Sequence, residues 1–401
     1  MHRVKKFFLS VSFLFLAFYY LNAQVTVVKQ ALAVNPKLFF EDLAGGANFS
    51  GYIKSNLINC GWFEVVPSSN DAKYSVSGNI DKNKVYLNIT GETSFKLSMS
   101  INKSNSRQTA QFMVDAILKK LFNVPGICAS KIAFVAQAGK IKEIYECEYD
   151  GIDIKKLTNN KSLSLEPNWS KDNKILVYTY YHDNYTNVVG LKFTNGKTYT
   201  LASFPGLNMG GTISPNGKYL AIVLSKDKQV ELYVKKVYGK GVKRLTFEDA
   251  VEASPCWSPN GAKICFVSDK YLRIPKLYIV DVNSGKIFQI HTVGSEAVTP
   301  DWSSVGDKIV YSARFGKQFV LAVYDIKSKK SSTVKNIATG NWMSPSWAPD
   351  GRHVVCSRIL DYHSQLYVVD TWTGMAKKLL KTKMNISSPD WSELDFLGLK
   401  R

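Results

Sequence analysis

The residues that could do chemistry are few. Outside the first two positions the 401-residue sequence has four histidines, His182, His291, His353 and His363. His353 lies inside an apolar strand pattern. His182 and His363 fall in loops between apolar strands, where an imidazole could serve as a ligand or a general base. Nothing around them completes a catalytic set. No G-x-S-x-G elbow supplies a nucleophile. No H-E-x-x-H, phosphate-binding loop or G-x-G-x-x-G follows a strand. The acidic residues are scattered, without the paired spacing of a general acid and base. Cys60, Cys128, Cys147, Cys256, Cys265 and Cys356 form no C-x-x-C pair, which argues against a zinc ribbon or a dithiol redox motif. Cys265 and Cys356 sit within apolar runs and read as small core residues, so the six are expected to be mostly unpaired. The residues alone predict no catalytic group, no metal site and no cofactor. An enzyme, a lyase or hydrolase acting on an anionic glycan, stays open as an alternative, because site residues can come from distant loops. It would need a histidine or carboxylate cluster, and convergence of His182 and His363 would favour it.

Composition narrows the classes further. The chain is 45% hydrophobic and 12% aromatic, with 21 Tyr, 21 Phe and 8 Trp, which favours strands and supports a large core. A coiled coil, a collagen, a low-complexity chain and a polytopic membrane protein are all excluded. Lys and Arg total 52 against 32 Asp and Glu, a formal charge of +20, but no polybasic run resembles a nucleic-acid arm. Met1–Ala23 has a basic start (Arg3, Lys5, Lys6), an apolar run from Phe7 to Leu21, and a small residue at Ala23. These are the parts of a cleavable secretory signal peptide, and the run is shorter than the ~20 residues of a spanning helix. The mature chain is expected to begin at Gln24, outside the cytoplasm.

One phrase recurs from Pro167 onward: Pro-x-Trp-Ser, a turn of Pro-Asn/Asp-Gly type, then an apolar strand. Its Trp positions are Trp169, Ile213, Trp257, Trp302, Trp347 and Trp391, separated by 44, 44, 45, 45 and 44 residues. A steady period of this length marks propeller blades. Pro259-Asn260-Gly261 and Pro349-Asp350-Gly351 preset φ and then supply a left-handed residue, so that two strands fold back tightly. The apolar strand occurs six times, starting at Lys131, Lys174, Tyr219, Lys263, Lys308 and His353. The first copy lacks a preceding phrase, and the last phrase, Ser388–Ser392, lacks a following blade. Joining them makes six blades, with the C-terminal strand closing the ring. The Trp series is expected to pack between blades, not to stack on a ligand.

Residues 24–127 lack the repeat. Glu41–Asn59 has the spacing of a helix stopped at Gly61, and Trp62–Val66, Tyr74–Ile80, Lys84–Thr90 and Phe95–Ile101 alternate like strands. Thr109–Phe122 places Met113, Ala116, Ile117 and Leu121 on one helical face. The expected fold is multidomain: signal peptide 1–23, a small N-terminal α/β or α+β domain over 24–127, and an all-β six-bladed propeller over 128–401. The propeller side holds +13 of the charge and the N-terminal domain +4.

This order of parts resembles the TolB family, the periplasmic propeller proteins of the Tol-Pal system. The resemblance runs through Ile58–Val66, Tyr74–Ile80, Lys131–Val135, Asp249–Ser258, Val267–Tyr278 and Pro389–Ser392. It implies a non-enzymatic, monomeric adaptor. Such an adaptor would bind the peptidoglycan-associated lipoprotein Pal on one propeller face. Its mature N-terminus, here Gln24, Val25, Thr26, Val27 and Val28, would reach TolA of the inner-membrane complex, serving envelope integrity and constriction at division. The positive charge adds an expected weak, salt-sensitive association with peptidoglycan, and no nucleic-acid partner. In a blade, the loops joining strands two and three, and strand four to the next blade, share a face. That face would hold Tyr181, His182, Lys226, Asp269, Arg273, Arg314, Phe315, Arg358 and Tyr362, with Glu252 and Glu296 from the inter-blade loops. Arg and aromatic residues are enriched in interface hot spots. The sequence departs from the family pattern at Pro67–Asp71, where the N-terminal domain is shortened, at Ile213, and at the weak turns Lys171–Asn173 and Ser304–Gly306.

Overall fold

The structure, a computed structural model, describes residues 34–102 and 104–394. The expected signal peptide and the segment Gln24–Val28 lie outside the described residues. The chain divides into two compact units between Val124 and Pro125.

The first unit is one five-stranded sheet with two helices. Its elements are β1 (Lys37–Phe40), α1 (Ala47–Asn59), β2 (Glu64–Val66), β3 (Tyr74–Asp81), β4 (Lys84–Gly91), β5 (Phe95–Ser100) and α2 (Ser106–Phe122). The sheet order is β2-β1-β3-β4-β5, with β1 parallel to both of its neighbours and the rest antiparallel. The strand β1 was not expected from the sequence. Its four residues, Leu38 and Phe40 among them fully or nearly buried, give too short a pattern to announce a central parallel strand. The first helix is also shorter than Glu41–Asn59. Gly45 takes φ +84°, and Ile80 N donates to Ala44 O at 2.9 Å, so the chain stays paired to β3 before the helix begins. In α2 the buried stripe is Ala110, Met113, Val114, Ile117 and Leu118, one step around from the expected face. Asn105 caps its start, accepting from Gln108 N at 3.1 Å, and Asn123 ends it at φ +55°.

The second unit is built of six four-stranded antiparallel sheets. The inner strands of blades two to six are Ser164–Trp169, Asn208–Ile213, Glu252–Trp257, Ala297–Trp302 and Asn341–Trp347. In blade one the inner strand is the C-terminal Asn385–Trp391, paired with Lys131–Ala138 from the start of the unit, as the repeat count required. The Trp positions pack between blades. Trp169 sits with Ala133 and Ile144 of blade one, Ile213 with Val177 and Val188 of blade two, Trp257 with Ala221 and Leu232 of blade three, and Trp347 with Val310 and Leu321 of blade five. Truncating one such residue would cost ~3–5 kcal/mol. All six cysteines are buried and free.

The inner strands are not straight. The residue before each motif proline, Glu166, Ser254, Thr299, Ser344 and Ser388, has φ between +48° and +53°, and Gly210 fills the matching place in blade three. Every inner strand breaks register there. Proline offers no N–H to the ladder, so the strand bulges and turns its next residues toward the axis. Blade six also buries a charge network. Arg352, with no exposed surface, donates Nε and Nη2 to Asp370 at 3.1 and 2.6 Å, and His353 Nδ1 lies 2.6 Å from Asp350 Oδ2. His353 is therefore a satisfied core residue.

Ring closure predicts a sharp truncation effect. Removing residues 387–401 deletes most of the inner strand of blade one and exposes the edge at Lys131–Ala138. The shortened protein should aggregate or lose its cooperative melt, as read by size-exclusion chromatography and thermal denaturation. An unchanged melting temperature would refute the closure argument.

Candidate partner-binding face and axial channel

The loops between strands two and three are short hairpins that lift their tips to one end of the propeller. Asp183-Asn184 joins His182 to Tyr185, and Asp361-Tyr362 joins Leu360 to His363. Both residues of each turn have positive φ, as does the pair Leu272-Arg273 in the longer loop of blade four. A left-handed non-glycine residue costs ~1–2 kcal/mol. Tyr362 is 99% exposed and Leu272 71%, so packing within the fold does not offset that strain. Positive φ at both central residues is the geometry of a type I′ hairpin turn, whose twist matches that of the flanking strands.

Except for Glu252, the charged residues expected on this face lie in its loops and are held by local contacts. Arg273 reaches Asp249 Oδ2 and Asp249 O at 2.7 Å each, and Asp269 at 3.8 Å. Asp269 also accepts from Val251 N at 2.8 Å. Arg314 Nε lies 2.8 Å from Glu296 Oε1, and its guanidinium stacks 4.4 Å over Phe319. Arg358 donates to Thr339 O and lies over Trp342 and Tyr367. Lys226 pairs with Asp227, which also accepts from Tyr233. Phe315 and Tyr362 stand exposed, and Tyr181 is half-buried with its hydroxyl toward Met209. Two of these cations are thus pre-oriented by carboxylates from the loop of the preceding blade junction, Asp249 and Glu296.

Glu252 is a correction. It is 1% exposed, and neither carboxylate oxygen has a hydrogen-bond partner, so it cannot touch a partner directly. It starts an inner strand whose first residue points into the blade. Burial, with the neighbouring charges of Glu231 and Asp269, pushes its carboxyl up to about 8. Three exposed residues of the face went unread: Tyr185, Tyr271 and Leu272. The signal was present in the aromatic residues flanking Asp183-Asn184 and in the Lys270–Pro275 run. His182 and His363 do not converge. His182 bonds to Tyr180 and Asp183, His363 to Gln365, each within its own blade.

The axis holds a polar cavity of about 180 Å³, lined by the bulged segments of the inner strands. Asp390 accepts from Trp169 N at 2.6 Å and Asp301 from Trp347 N at 2.7 Å, each bond joining neighbouring blades. Burial is the main cause that raises Asp390 to about 7 and Asp301 to about 6. At one end Lys171 Nζ donates to Glu393 at 2.6 Å and to Ser304 at 2.8 Å, and Ser304 bonds Glu393 in turn. Burial alone would lower the Lys171 ammonium, but Glu393, Asp301 and Asp390 hold it above its usual value. Lys171 and Ser304 occupy the two weak turns. Where other repeats have proline (Pro215, Pro259, Pro349), these two and Glu393 form a bridge across the axis from blades two, five and one. The sequence departures at these turns therefore have a structural use. Among the described residues, no group of three or more His, Cys, Asp or Glu is placed to hold a metal ion.

A family profile for the TolB beta propeller domain matches residues 118–395, more than half of the chain. The chain belongs to that family. Over 317 residues it is 29% identical to the Tol-Pal system protein TolB of Francisella tularensis subsp. tularensis (strain WY96-3418), covering 74% of this chain and 71% of the relative. The protein of that name from Francisella tularensis subsp. mediasiatica (strain FSC147) matches with the same identity and coverage. The crystal structure of TolB from Acinetobacter baumannii superposes with a TM-score of 0.82 at 20% identity, covering 90% of this chain and 97% of that one. Putative TolB from Agrobacterium tumefaciens gives 0.51 at 15% identity, covering 66% of this chain and 98% of that one. Both likenesses concern the fold alone, the first over 90% of this chain and the second over 66% of it.

The buried Glu252 carries a pH signature. Its folded pKa, about 8, lies above its unfolded value near 4.5, so the fold binds the proton more tightly. The stability linked to that proton is complete below about pH 4.5 and is lost as pH rises toward 8. Glu252→Gln should melt close to the parent at pH 5 and above it at pH 8, by an amount on the order of 3 kcal/mol. Denaturant titrations at the two pH values check this; equal differences at both would contradict it.

Proposed function

We propose that the protein is a non-enzymatic adaptor of a Tol-Pal system, acting in the periplasm. The observation that carries this reading is membership of the TolB beta propeller family, joined to 29% identity with proteins named Tol-Pal system protein TolB over 74% of the chain. The loop face supports a docking role. It concentrates exposed aromatic and apolar tips and carboxylate-held arginines. On this reading a peptidoglycan-associated lipoprotein docks on that face. The segment Gln24–Val28 engages a TolA-like inner-membrane protein, and the pair of contacts serves outer-membrane integrity and constriction during division. The protein works as a monomer without cofactor. The cationic propeller also suits an envelope rich in anionic polymer.

Arg273 and Arg314 are the residues to test. Reversing them, Arg273→Glu with Arg314→Glu, places like charges beside Asp249, Asp269 and Glu296 on the docking surface. Capture of the peptidoglycan-associated lipoprotein should fall by tenfold or more, since a hot-spot arginine contributes ~2 kcal/mol or more. Circular dichroism should show the fold retained. Replacement of residues 24–28 should abolish capture of the TolA-like partner and spare the lipoprotein. Undiminished capture by the double reversal would place the lipoprotein elsewhere.

A further inference from the structure

We propose that the outer rim of blades five and six is a docking surface for a membrane bearing anionic phospholipid headgroups. The outermost strands of these blades are Lys330–Thr333 and Ala376–Lys378. The sequence from 326 to 349 and from 371 to 389 contains no Asp or Glu. In those two stretches Lys329, Lys330, Lys335, Lys378, Lys381 and Lys383 are all exposed, and among the described residues none of the six pairs with a carboxylate. The two rims are one surface. A Cβ on Gly374, in the turn before blade six's outer strand, would lie 1.9 Å from Lys335 O, so that turn is seated on the segment leaving blade five.

Lysine on an edge strand also discourages sheet-to-sheet pairing. The outer strands of blades two and four, Thr198–Ala202 and Ile287–Gln289, carry no cation. In blades one and three Lys155 pairs with Asp153, Lys156 with Glu143 and Arg244 with Glu231, while Lys243 donates to Val282 O. Exposed lysines elsewhere, such as Lys197, Lys218, Lys240 and Lys286, are spread over blades two, three and four; on blades five and six they meet where two outer strands adjoin.

The chemistry selects a lipid surface. The patch is made of lysines, compact hydrated charges that sum over a diffuse field, and not of the arginine forks that read a single phosphate or carboxylate. Met375 stands 72% exposed in the same turn, an apolar side chain among cations, the pairing found at membrane interfaces. The inference rests on these outer strands and the segments that leave them, and the vesicle test reads it without any protein partner.

The test is sedimentation of the purified protein with vesicles of phosphatidylglycerol and phosphatidylethanolamine, against vesicles of phosphatidylcholine. The rim variant is K330Q/K335Q/K378Q/K381Q. The control variant, K197Q/K218Q/K240Q/K286Q, removes the same charge from exposed lysines of blades two, three and four. Each lysine near an anionic surface is worth about fivefold in affinity, so the rim variant should bind anionic vesicles on the order of a hundredfold or more weakly. The control should stay near the parent, and added salt should release both parent and control. Matched melting curves exclude unfolding. Three results would overturn the proposal: a parent that does not prefer anionic vesicles, a control variant that loses as much as the rim variant, or a rim variant that loses binding to peptidoglycan sacculi while keeping it to vesicles.

Discussion

The propeller depends on one pairing, that of Asn385–Trp391 with Lys131–Ala138. It removes the two edges that an open six-sheet array would expose, and it does so by bringing the last strand of the unit to the first blade. The contacts around it are correspondingly dense. Ser392 Oγ accepts from Lys131 N at 2.8 Å, Trp391 Nε1 donates to Ser130 Oγ at 2.7 Å, and Asp390 takes the Trp169 N–H of the next blade. Glu393 then extends the seam to Lys171 and Ser304. Closure is therefore secured by polar bonds on the axis as well as by the apolar packing between blades. The polar part is oriented, which helps set the register of a strand that would otherwise be free to slip.

Buried carboxyls in this protein fall into two groups. Asp350 and Asp370 meet burial, which alone would raise them, with the charge and hydrogen bonds of His353 and Arg352, and the net effect holds them below the usual range. For Glu252, Asp301 and Asp390 burial outweighs the attraction of the nearest ammonium, Lys270 or Lys171, and they are pushed upward. The first group binds two adjacent strands of one blade. The second lines the axis or lies beneath the loop face, so protonation there touches the parts of the molecule nearest any docked partner. The distribution of surface charge follows a similar division: Arg273 and Arg314 on the loop face are paired with carboxylates, whereas the six lysines of blades five and six show no such pair among the described residues.

Much of this was legible in the chain. The 44–45 residue period, the Pro-Asn/Asp-Gly turns and the orphan Pro-Asp-Trp-Ser at the end require six blades and closure, because a repeat that cannot bury its own face must stack on neighbours. The Trp positions follow from the same logic. The α/β character of the first unit was legible from its alternating strands and one amphipathic helix. Its parallel strand β1 was not, because parallel pairing joins segments whose contact no local pattern records.

What the sequence by itself determined is the period, the blade count, the ends that must meet, and the set of loops sharing one face. These are properties of covalent order and local turn chemistry. What only the tertiary structure decided is which side chains are seen from outside and which of them meet. Glu252 has the same charge on paper as Glu296, but one is sealed inside a blade and the other holds Arg314. Lys171 and Ser304 looked like lapses in a repeat until the ring placed both with Glu393 at one end of the axis. Burial and convergence are set by how distant segments pack, and a linear pattern carries no term for that.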